Sequence, residues 1–63
     1  MEIFESYNEA LEYLEDIANL NIEFCHHEIV EDSYEYPLGL TLIGYSDSSH
    51  NHEIGFVSVG YKQ

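Results

Sequence analysis

The chain has 63 residues, with 13 acids against a single base, Lys62, and a formal charge of −12 without one arginine. That balance excludes a conventional nucleic-acid binder, because nothing is present to neutralise phosphate or release its counterions, and it argues against an anionic membrane surface as partner. It does not make the chain disordered: leucine, isoleucine, valine and phenylalanine supply 18 of the 63 residues, above the ~20% below which too little apolar surface can be buried.

At the N-terminus, Met1, Glu2, Ile3, Phe4 and Glu5 provide neither a basic segment nor an apolar one, so no signal peptide is expected. Ser6 followed by Glu9 matches a capping box, in which the hydroxyl and the carboxylate satisfy orphan amides reciprocally. Behind it Tyr7, Ala10, Leu11, Leu14, Ile17 and Ala18 recur at helical spacing, which predicts an amphipathic helix over residues 7–19. Asn19 and Asn21 are suitable stop residues.

Three strand-like runs follow. Residues 22–30 are rich in β-formers but alternate imperfectly, since Ile22, Phe24 and Val30 share one parity and Ile29 has the other. A bulge near His26 and His27 would reconcile the pattern, and so would a strand covered on both faces. Residues 38–45 alternate cleanly, with Leu38, Leu40 and Leu42 on one face and Thr41, Ile43 and Tyr45 on the other. Residues 54–61 place Ile54 and Phe56 on one parity and Val57, Val59 and Tyr61 on the other. The polar connections are short enough for antiparallel neighbours. The expected fold is therefore α+β, a single domain over residues 1–63 with one N-terminal helix packed on a three-stranded antiparallel meander (αβββ). One helix covers one face of such a sheet, and the other face is expected to carry Ile43, Tyr45, Val57, Val59 and Tyr61. An exposed apolar surface of that kind marks an interface, and a homodimer through the sheet is one reading of it.

The acids are the strongest functional signal. Glu5, Glu9, Glu12 and Asp16 recur at helical spacing, with Glu15 beside them, and no lysine or arginine is close in sequence. Like charges at that spacing repel by ~0.2–0.5 kcal/mol per pair, a cost that solubility alone does not require. Carboxylates on adjacent turns lie ~5–6 Å apart, of the same order as the spacing of phosphates along a nucleic-acid strand. Such a row suits a basic channel built for DNA or RNA, and association would be electrostatically steered. Glu31, Asp32, Tyr34, Glu35 and Tyr36 interleave acids with two tyrosines in what reads as a loop. Rigid phenol rings beside carboxylates are good partners for arginine or aromatic groups.

The remaining chemistry-bearing residues carry less. Cys25 is the only cysteine, so no internal disulfide is available and a reducing cytoplasm is the expected location. On a strand Cys25 and His27 would point the same way, and with His50 and His52 they could make a zinc site if neighbouring strands aligned them, but neither His26–His27 nor His50–His52 has an established zinc spacing. A calcium loop beginning at Asp47 fails, since His52 stands where glycine is required and Ser58 where glutamate is. Neither a phosphate-binding glycine loop nor a nucleophile elbow is present. The chain is expected to be no enzyme and to need no metal or cofactor.

In general character (very small, acidic, without arginine) the chain resembles phage-encoded inhibitors of nucleic-acid enzymes such as anti-restriction, anti-CRISPR and uracil-DNA glycosylase inhibitor proteins. The resemblance is one of composition. It implies an inhibitor that occupies the DNA or RNA site of a basic nucleic-acid-binding protein through Glu5, Glu9, Glu12, Glu15, Asp16 and the acidic, tyrosine-bearing segment. The reading from another class is a structural or regulatory dimer module whose sheet face mediates assembly and whose acids serve solubility.

Overall fold

The computed structural model describes residues 2–32 and 38–62. Its elements are built from local signals where those are strong. Ser6 has extended backbone, and its hydroxyl accepts from the Glu9 N–H at 3.2 Å, which starts the helix α1 at Tyr7–Leu20. At the other end the Asn21 N–H and its side-chain amide both donate to the Ile17 carbonyl, at 3.1 and 2.8 Å. They satisfy one of the carbonyls a helix end leaves open. The helix closes one residue beyond the expected Asn19.

The imperfect run after the helix resolves into two elements. Ile22–Phe24 form a 3₁₀ turn, with Phe24 donating to Asn21 at 3.0 Å and Cys25 to Ile22 at 3.1 Å. Together with a short strand β1 at Ile3–Phe4, the sheet contains β2 (His26–Asp32), β3 (Leu38–Tyr45) and β4 (Glu53–Tyr61). The ladder between β2 and β3 runs unbroken from His26↔Tyr45 to Asp32↔Gly39. The expected bulge at His26 and His27 is therefore replaced by the turn before them. An irregularity lies elsewhere: Gly44 faces Gly55 but Tyr45 faces Glu53, leaving Ile54 as the extra residue.

The fold is α+β, with one α-helix and a four-stranded mixed sheet in the order β1-β4-β3-β2 among the described residues. The antiparallel core β2-β3-β4 matches expectation. The purely antiparallel three-stranded meander does not, because β1 adds a parallel edge through Ile3↔Gly60 and Phe4↔Tyr61. Gly60 donates to the Glu2 carbonyl at 2.8 Å and Lys62 to that of Phe4 at 3.0 Å. A two-residue strand has too little pattern to be read from sequence, and only its pairing defines it.

Register decides the core. Leu40 stands beside Val59 and Leu42 beside Val57, so these side chains share the face on which α1 lies. Ala10, Leu14 and Ala18 of the helix are buried with Phe24, Leu40, Leu42, Val59 and Tyr61, and Phe4, Leu11, Ile17, Ile29, Leu38 and Val57 pack around them. Val57, Val59 and Tyr61, expected on the open face, thus line the helix side. Alternation sorts the residues of one strand into two sets but does not say which set meets the neighbour's inner set. The open face instead carries Ile43↔Phe56 and Thr41↔Ser58, with Val30 opposite Thr41. Among the described residues no helix is long and apolar enough to cross a membrane.

Candidate binding surfaces

The buried stripe of α1 sets where its acids point. With Ala10, Leu14 and Ala18 against the sheet, Glu9, Glu12 and Asp16 fall on the solvent side and line one hollow of about 330 Å³ together with Phe4 and Tyr13. The two rings meet at 5.0 Å, tilted by 40°. Tyr13 stands four residues after Glu9 and three before Asp16, so helical spacing alone puts it on this flank. Phe4 comes from β1, and no sequence signal places it there.

The other sequence-predicted acids separate from this group. Glu5 precedes the helix and its carboxylate takes the Lys62 ammonium at 2.9 Å. It is therefore not the first member of the helical stripe. Glu15 is exposed on α1 but does not line the hollow. Glu31 and Asp32, expected in a loop, are the last residues of β2, opposite Leu40 and Gly39. Tyr34, Glu35 and Tyr36 lie outside the described residues.

The histidines take separate tasks. His27 Nδ1 donates to the Phe24 carbonyl at 2.6 Å, which ties β2 to the turn before it. Cys25 is exposed at the end of that turn and not on a strand, so it does not share a strand face with His27. A second hollow of about 280 Å³ borders both residues, together with Ala18, Asn19, Asn21, Ile22 and Phe24. His50 adopts a left-handed backbone with φ of 60° and stacks on Tyr45, with ring centroids 4.4 Å apart and planes within 5°. Asp47 holds this hairpin: it accepts from the Ser49 hydroxyl, from the Asn51 N–H at 3.0 Å and from the His52 N–H at 3.1 Å. The Ser49 hydroxyl and these amides hold the Asp47 carboxyl below its ordinary value, against a smaller opposing effect of desolvation. Among the described residues no three or more His, Cys, Asp or Glu side chains gather where they could share a metal ion.

On the open face, Tyr45 donates to Glu28 at 2.6 Å. That bond, with some burial and the negative charge of Glu28 and Glu53, pushes the phenol up to about 12. Tyr61, on the helix side, meets Tyr7 edge-on at 5.3 Å. Its hydroxyl is raised by burial first and by Glu31 and Tyr7 after it. No family model matches this chain, and neither a curated protein nor a solved structure matches it.

Proposed function

We propose that this chain is a small acidic binding protein that inhibits a basic nucleic-acid-handling protein by occupying its DNA or RNA site. The observation that carries this reading is the hollow in which Glu9, Glu12 and Asp16 stand on successive turns of α1 beside Phe4 and Tyr13. Residues at that spacing have Cβ atoms ~5–6 Å apart, so their carboxylates can replace a run of phosphates, while the two rings offer faces to arginine side chains that otherwise meet the backbone or bases. Burial of Ala10, Leu14 and Ala18 against the sheet fixes the helix that presents them, so its backbone does not have to be ordered on binding. The chain's single base is engaged by Glu5, which leaves the local field negative.

The test begins with affinity capture from a host lysate and elution by salt, to obtain a basic nucleic-acid enzyme as target. Replacing Glu9, Glu12 and Asp16 together by glutamine should weaken binding to it by about a hundredfold, or roughly 2.7 kcal/mol, and flatten the salt dependence. The fold should be retained or slightly firmer, because like-charge pairs are relieved by a few tenths of a kcal/mol each. A nucleic-acid ligand of the target should compete with the unmodified protein. Equal binding by the glutamine variant at every salt concentration would overturn the reading.

A further inference from the structure

The face of the sheet turned away from α1 carries apolar side chains that nothing in the described residues covers. Phe56 is 64% exposed and pairs with Ile43 in the centre of the face. Val30 and Ile54 are exposed near them, at 39% and 49%, and Ile3, at 47%, lies farther along the same face beside Gly60. The core on the other side is complete without these residues, so their exposure is not the remainder of a failed packing arrangement. The polar groups between them are already engaged. The Thr41 and Ser58 hydroxyls bond to each other at 2.8 Å, and the Tyr45 hydroxyl is held by Glu28 at 2.6 Å. Covering this face therefore strands few polar groups, which removes much of the usual cost of desolvation.

We infer that this face docks a protein whose contact surface is apolar at its centre and bears lysine or arginine at its rim. The sign follows from Glu28 and Glu53, which stand opposite Ile43 and Tyr45 at the border of the patch. A second copy of this chain is the poorer occupant. A two-fold contact would set the same acidic rim against itself, on molecules that each carry −12. The inference goes beyond the function proposed above, because it concerns the opposite side of the sheet and does not use the carboxylates of α1.

The experiment follows the amide spectrum of the isotopically labelled full chain at near-physiological ionic strength. The probe is a synthetic amphipathic peptide of leucine and lysine, and its control replaces every lysine with glutamate. The lysine peptide should shift the amides of Val30, Ile43, Phe56 and Ser58, and the glutamate peptide should not. Phe56→Thr keeps a β-favouring residue on an exposed position and should weaken the lysine peptide at least tenfold, with an unchanged spectrum elsewhere. Ile43→Thr serves as the second variant should that substitution disturb the fold. The triple glutamine variant of α1 should bind the peptide within about threefold of the unmodified chain. Shifts confined to α1, equal binding of the glutamate peptide, or no binding would each overturn the inference. So would a dimer by sedimentation that Phe56→Thr dissociates, since the occupant would then be a second copy. Loss of target binding by the glutamine variant tests the proposed function separately, so either reading can fail alone.

Discussion

Gly44 and Gly55 stand opposite each other in β3 and β4, yet their surroundings differ completely. A Cβ added at Gly44 would lie 2.3 Å from the Phe24 ring, whereas one added at Gly55 would meet nothing within 4 Å. The ring is buried and held at its backbone by the bond from His27, so it has little room to yield. Gly44→Ala should therefore cost about 1–3 kcal/mol in denaturant unfolding, as overpacking does, while Gly55→Ala should stay within ~0.5 kcal/mol of the parent. At Asp47 the argument is one of charge. Its carboxyl is held low by the Ser49 hydroxyl and the Asn51 and His52 amides, so ionised Asp47 favours the closed hairpin. That contribution is complete above the unfolded carboxyl value of ~3.9 and is lost as pH falls through the lower folded value. Carboxyl titration by NMR should place Asp47 below the ordinary aspartate value, and Asp47→Asn should loosen the His50 backbone already at neutral pH. Tyr45 works in the opposite sense: its neutral form is favoured, and its contribution is present below pH ~10 and lost as pH rises through about 12.

At the scale of elements, β4 is the most informative, because consecutive residues face different environments. Val57 packs on the core beside Leu42, while Phe56 stands on the open face beside Ile43. A carboxylate at position 57 would be pressed against apolar side chains with no base near it, so Val57→Glu should destabilise the protein by about 2 kcal/mol or more. Phe56→Glu should change stability by no more than ~0.5 kcal/mol. Thermal unfolding of the two variants side by side checks the register directly. Were the faces reversed, the two costs would exchange places. β2 is an edge strand of the described sheet, and it carries Glu28, Glu31 and Asp32, charges of the kind that keep strand edges from pairing with other chains.

Over the whole molecule the charge dominates. With 13 acids and one base, nearly every electrostatic interaction among ionised side chains is repulsive, and the Lys62–Glu5 pair is exposed on both partners, which limits it to ~0–1 kcal/mol. Folding brings the acids closer together, so screening should favour the folded state. Raising ionic strength from 0.01 to 0.15 M shortens the Debye length from ~30 to ~8 Å and should raise Tm by several degrees, measured with a salt of weak specific effect. A chain of balanced charge would show little change, and a fall in Tm would contradict the repulsion argument.

What the sequence determined by itself was everything that depends on neighbours within a few residues. The Ser6 cap, the helix and its buried Ala10–Leu14–Ala18 stripe, the alternation of β3 and the flank shared by Glu9, Glu12 and Asp16 all arise from spacings of three, four or two residues. Backbone geometry converts those spacings directly into faces. The tertiary structure decided what depends on distant partners. Phe4 reaches the acidic hollow because β1 pairs with β4, Glu5 leaves the stripe for Lys62, and Val57, Val59 and Tyr61 turn toward the helix because of the register between β3 and β4. No local pattern specifies such contacts, since each strand's alternation is satisfied equally by either choice of inward face until its neighbour is in place.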